Sequence, residues 1–226
     1  MRIQRQSKIW SSLTSDYVVP FFGCCGPKDE VPYVVTKWMG NGDLKSFLKD
    51  NPNKLNRLQV YLHSQKEPVY HGLLKPVYAE FMQSNILVDD NLHARISDFA
   101  LAFTETPTGT RADIERTTAP EIFDGEVPGP PADVYSFGCT AYEILTDIVP
   151  MEEEKNLWKF RKRVCAGEIR PTFPSNSETA ARWGLARANA PLWKLLQECW
   201  NLDPKQRPTA AEARSRWVSI MTELPT

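Results

Sequence analysis

Apolar and polar positions change period along this chain. Near the start Ile9, Trp10 and Leu13 stand at helical spacing, followed by two β-rich runs, YVVPFFGCC (17–25) and VPYVVTKWM (31–39). The intervening GPKDE reads as a turn. A third β-rich pair, NILVDD (85–90) and HARISDF (93–99), flanks a tight turn at Asp90-Asn91. Residues 100–131 are rich in Thr, Pro and Gly and predict a long surface loop. From 132 the period is helical: ADVYSFGCTAYEILT (132–146) puts Val134, Phe137, Gly138, Ala141, Ile144 and Leu145 on one face. EEEKNLWKFRKRVCAG (152–167) opens acidic and closes basic before a glycine, as the helix dipole and the C-cap favour. APLWKLLQECW (190–200) repeats Leu192, Leu195, Leu196 and Cys199, and a last helix starts after Pro208 with Thr209 and Glu212 in capping-box spacing. A β-containing front and a helical back predict an α+β fold whose core is mostly helical.

Composition narrows the function classes. The chain has 226 residues, 42% hydrophobic and 24% charged, an ordinary globular balance. A net charge of -1 offers no broad basic surface, so neither nucleic acid nor membrane is expected as partner. The opening MRIQRQSKIWSS lacks the apolar core of a signal peptide. Five cysteines show no CxxC spacing, and reduced thiols in a soluble cytoplasmic protein are the expectation. Trp10, Trp193, Trp200 and Trp217 are expected in the core or at an interface.

Five short words and Asn85 then occur in a meaningful order: HGLLKP (71–76), Asn85, Asp98-Phe99-Ala100, Ala119-Pro120-Glu121, DVYSFG (133–138) and CWNLDPKQRPT (199–209). Together they resemble the protein kinase family, and two endings suggest its tyrosine-kinase-like serine/threonine group. The similarity runs from about residue 6 to 221. It implies a kinase-like fold, mainly the helical C-lobe, with a remnant of the N-lobe: the end of the regulatory helix, two strands and the hinge. Residues 1–39 would be the partial N-lobe and hinge, 40–226 the C-lobe, with an activation-segment-like loop at 98–121. By the same resemblance Thr36 is the gatekeeper and Lys37 to Met39 the hinge that would meet a nucleotide. Asn85 and Asp98 would be vestigial magnesium ligands. His71, Phe99, Glu121, Asp133 and Arg207 take structural roles, with Arg207 the ion-pair partner of Glu121.

Phosphoryl transfer asks a protein for positioning and charge neutralisation, and for a carboxylate that orients the acceptor hydroxyl. Here Leu73 stands at the proton-acceptor position and Gly72 at the loop arginine, leaving Lys75 vestigial. A positioned base typically contributes ~10²–10⁴ in rate. Gln6 occupies the place of the glutamate that would pair with the ATP lysine, and the glycine-rich cover and that lysine's strand are not found. A heptad, VYAEFMQ (77–83), splits the loop, and residues 50–64 leave little of the helix that normally precedes it, which should expose apolar surface.

The expected function is therefore a catalytically inactive pseudokinase that binds or scaffolds in signalling. Its partners would be proteins meeting the helical lobe, especially around Leu157 to Phe160. The alternative is a fragment or mis-spliced reading of an active ATP-dependent serine/threonine kinase, since the lesions cluster within 50–84. An enzyme that uses another base and an N-terminal lobe supplied elsewhere is the third reading. No cofactor is expected as written; ATP and magnesium enter only if the parent site survives.

Overall fold

The computed structural model describes residues 7, 10–27, 33–51, 86–97, 116–126, 129–174 and 190–223. The chain divides into two compact units, residues 1–104 and 105–226. Within the first unit Asn41 and Gly42 are hydrogen-bonded to Val88 and Asp89.

In the first unit a helical turn at 10–12 precedes two strands, β1 (Phe21–Cys25) and β2 (Tyr33–Thr36), which pair antiparallel. The register slips between Phe21 and Gly23, where Gly23 takes φ +141°, a bulge conformation that favours glycine. Both strands are shorter than their β-rich runs. The residues before β1 serve another sheet instead: Val18 bridges Ile96, Val19 N–H donates to Ile96 O at 2.9 Å, and Ile96 N–H donates to Tyr17 O at 2.8 Å. The hairpin β3 (Ile86–Val88) and β4 (Ala94–Ile96) forms this second sheet. Trp10, Val18, Val19, Met39 and Ile96 make the core of the unit, and Trp10 Nε1 donates to Val19 O at 2.8 Å. Helix α1 (Leu44–Asp50) starts at Asp43, whose carboxylate accepts from Ser46 N–H.

The second unit is helical. It comprises α2 (Pro120–Phe123), α3 (Pro130–Thr146), α4 (Leu157–Cys165), α5 (Pro191–Cys199), a 3-10 turn at Pro204–Gln206 and α6 (Ala210–Thr222). Helices α2 and α3 both begin with proline at N1 or N2, which needs no N–H bond there, so structure enters the Thr/Pro/Gly-rich stretch expected to be loop up to 131. Helix α4 starts later than its acidic run suggests. Asn156 accepts from Lys159 N–H as N-cap, while Glu154 accepts from Asn156 N–H outside the helix. Gly167 closes the turn after it at φ +73°. Helix α3 is the centre of the core. A Cβ on Gly138 would stand 2.7 Å from the Cys199 Cβ, so the glycine lets α3 and α5 approach closely. Trp193, Trp200 and Trp217 are buried, and Tyr142 stacks edge-on against Trp200. The Thr209–Glu212 capping box forms in both directions. All five cysteines are free, and no helix among the described residues is long and apolar enough to cross a membrane.

Candidate functional site

The expected catalytic-loop positions His71, Leu73, Lys75 and Asn85, the expected metal-site residues Asp98 and Phe99, and Gln6 all lie outside the described residues, as do residues 52–64 of the stretch 50–64 whose shortened helix is expected to expose apolar surface. Among the described residues no cluster of three His, Cys, Asp or Glu side chains is placed to hold a metal.

The residues expected to form the hinge are described. Thr36 ends β2 half-buried, Lys37 is exposed, and Met39 is buried in the core of the first unit. Lys37 N–H donates to Pro20 O at 2.9 Å and Met39 O accepts from Gly42 N–H at 3.1 Å, so both groups are already used. The next residues are tied to the β3–β4 hairpin: Asn41 N–H donates to Val88 O, Asn41 Nδ2 donates to Asp89 O at 2.7 Å, and Val88 N–H donates to Gly42 O at 2.8 Å. Gly40 is where the Asp90 carboxylate approaches; a Cβ there would overlap Asp90 Oδ1.

Asp89 organises the hairpin turn and was not singled out from the sequence. It is 2% exposed and accepts from Asn91 N–H, His93 N–H and Arg95 Nε. Burial alone would raise its carboxyl, but the His93 backbone bond and Arg95 outweigh that and hold it below the usual carboxylate value. The Asp-x-Asn spacing of an Asx turn was the available signal.

In the second unit Glu121 and Arg207 meet as expected from the resemblance. Arg207 Nη1 lies 2.6 Å from Glu121 Oε1 and Nη2 2.7 Å from Oε2, a two-toothed pair. The same guanidinium donates from Nε to Asn201 O and from Nη1 to Pro131 O, both at 2.9 Å. Its charge stands 5.1 Å from the centre of the Tyr135 ring. One side chain thus joins α2, the start of α3 and the turn after α5.

Asp133, in the first turn of α3, is a different case. The residue keeps some exposure, yet burial around its carboxylate pushes it up to about 8, and nothing among the described residues offsets the shift.

Sequence reasoning missed Arg116. Its Nη1 donates to Pro150 O at 3.4 Å and also to Met151 O; its Nη2 donates to Glu154 O at 2.7 Å, and its guanidinium covers the Phe160 ring at 5.1 Å. Ser136 Oγ adds a bond to Thr117 O at 2.8 Å. These contacts pin the end of the 98–121 segment to the 150–154 turn and to α3.

Comparison with known proteins matches residues 1–216 to the model of the protein tyrosine and serine/threonine kinase family. The chain is 29% identical over 231 residues to the dual specificity protein kinase splA of Dictyostelium discoideum, covering 91% of this chain and 9% of that protein. It is 32% identical over 212 residues to the ankyrin repeat and protein kinase domain-containing protein 1 of Mus musculus, covering 85% of this chain and 26% of that one. Against the serine/threonine-protein kinase 12 of Arabidopsis thaliana the figures are 30% over 221 residues, 90% and 44%. The chain spans less than half the length of each of these relatives. With the helical unit, the two small antiparallel sheets and the Glu121–Arg207 pair in hand, the chain belongs to the protein tyrosine and serine/threonine kinase family.

Proposed function

We propose that this kinase-like domain, as written, binds rather than phosphorylates. One observation carries the reading: Leu73 occupies the position of the carboxylate that would accept the hydroxyl proton. A leucine side chain has neither a base nor a hydrogen-bond acceptor, and loss of a positioned base alone removes ~10²–10⁴ in rate. Gln6 and the heptad 77–83 support the same reading, the first by lacking a charge for an ion pair and the second by separating Lys75 from Asn85. The structural links around Arg207 do not depend on any of these positions, so the lobe keeps a surface to offer protein partners in signalling.

The test is transfer of labelled phosphate from Mg-ATP to a generic protein substrate, together with the melting temperature with and without Mg-ATP. The expected result is no transfer and no rise in melting temperature, since a ligand stabilises only when it binds the folded state. Magnesium-dependent transfer by the unaltered chain would overturn the reading.

A second reading rests on the clustering of lesions within residues 50–84 and on the relatives' description as kinases. Here the sequence is an altered copy of an active ATP-dependent serine/threonine kinase. Transcripts that carry Asp at codon 73 and lack the heptad would favour it; transcripts that match every letter would eliminate it.

A further inference from the structure

Helix α4 turns Phe160 and Val164 inward, where both are fully buried, and leaves Trp158 70% exposed. Lys159 and Lys162 are exposed on the same helix, and Lys155 is exposed one residue before the Asn156 cap. Residues 158, 159 and 162 share a face by their i,i+3 and i,i+4 spacing. Lys162 Nζ stands 5.7 Å from the centre of the Trp158 ring.

The other cations of this helix are occupied. Arg163 pairs with Glu154 and Glu168, and Arg161 lies over the Phe123 ring at 5.5 Å. Among the described residues no ion pair engages Lys155, Lys159 or Lys162. Glu154 feels the charge of Lys159, but its carboxylate accepts from Asn156 N–H and Arg163. Glu152 and Glu153, exposed in the preceding turn, limit the positive stripe on that side.

We propose that this stripe docks an acidic protein segment, whose carboxylates meet the three lysines while an apolar side chain covers Trp158. The inference rests on the reading of the chain as a binding module and names the chemistry of its partner. Charge complementarity selects the occupant, because a neutral segment would leave all three ammonium groups unpaired. Tryptophan beside cations is the kind of anchor that dominates protein interfaces. An anionic lipid surface asks instead for a wide apolar stripe. Here Phe160 and Val164 of α4 are turned into the core and Leu157 is half-buried, leaving one exposed aromatic ring.

The experiment titrates the full chain into a fluorescein-labelled peptide of glutamates around a central Leu-Phe pair. A second peptide with glutamine for glutamate, and vesicles containing phosphatidylserine, are titrated in parallel. Binding of the glutamate peptide, and little of the glutamine one, is expected. Trp158→Ala and the double change Lys159→Glu/Lys162→Glu should each weaken it about tenfold or more. All three side chains are exposed, so these variants should fold, and circular dichroism checks that they do. Equal affinity of the variants, or equal affinity for both peptides, overturns the proposal. Binding to vesicles but not to the glutamate peptide also overturns it, assigning the stripe to a membrane. Phosphate transfer is read in the same preparations: activity with docking intact sinks the inactive reading alone, and lost docking without activity sinks only this one.

Discussion

Replacing Arg207 by lysine keeps the charge and removes the fork. Arginine here engages three of its nitrogens on four acceptors: both oxygens of Glu121, Pro131 O and Asn201 O. The side chain is fully buried and its partner Glu121 only 11% exposed. An ammonium offers three donors from a single point and cannot span a carboxylate and two carbonyls that lie on different elements. Arg207→Lys should therefore leave at least one carbonyl and part of the Glu121 carboxylate without donors, at about 1–3 kcal/mol for each buried polar group left unmet. The expected total is roughly 2–4 kcal/mol for Lys, and about 3–5 kcal/mol for Arg207→Ala, which strands the carboxylate entirely.

Because the chain has two compact units, a single global melt would mix their transitions. Native-state hydrogen exchange on amides of α3, α5 and α6 reads the second unit directly. A cycle with Glu121→Gln then isolates the pair, and coupling above about 1.5 kcal/mol is expected for a desolvated two-toothed contact. If Arg207→Lys exchanges like the parent chain within about 0.5 kcal/mol, or the cycle is additive, the guanidinium does not hold these three elements together.

Other expectations follow from single contacts. The Asp133 carboxyl is held up to about 8 against an ordinary 3.8, so between those values the folded chain keeps a proton that the unfolded chain has lost. Its contribution is complete below the unfolded value and fades as pH rises through 8. Asp133→Asn should flatten that slope and raise stability at pH 8.5 by roughly 2–3 kcal/mol, well below the full 1.4 kcal/mol per unit because the residue is partly exposed; an unchanged slope in urea titrations at pH 5.5 and 8.5 would refute it. Gly138→Ala drives a Cβ against the Cys199 Cβ, and the strain of about 1–3 kcal/mol should exceed what alanine adds to the helix, lowering the urea midpoint. Arg116→Ala uncaps the Pro150, Met151 and Glu154 carbonyls, and faster amide exchange confined to 116–126 and 150–156 is expected, at a cost of about 1–3 kcal/mol.

Legibility followed the distance between partners. The Thr209–Glu212 box could be read from the letters because its two members are three residues apart and bond each other. The apolar face of α5 was legible because period sorts it, whereas α3 also buries Tyr135, Cys139, Thr140 and Tyr142, off the face its period marks, and leaves Phe137 half-buried. The Glu121–Arg207 pair, 86 residues apart, came only through the resemblance. Arg116 left no signal at all: its targets are backbone carbonyls 34 to 38 residues away, and every residue supplies a carbonyl. Helix α2 was hidden for a simpler reason, since four residues are too few to show a 3.6-residue period, and only Pro120 marked its start.

The residues that build the helical unit and those that would run phosphoryl transfer make separate demands. Arg207 is satisfied by a carboxylate, two carbonyls and a ring; Gly138 by the nearness of α5; the Asn156 cap by one backbone N–H. None of these contacts asks for a phosphate, a metal or a proton acceptor, so a leucine at 73 leaves every one of them intact. A chain with such a lobe can lose its reaction without losing its fold, whereas loss of Arg207 would destabilise the helical unit whatever stood at 73. The two substitutions should accordingly give opposite signatures. Leu73→Asp should leave the exchange pattern of α3, α5 and α6 untouched whether or not it adds activity. Arg207→Lys should loosen that pattern and weaken docking at α4 through the unit that carries it.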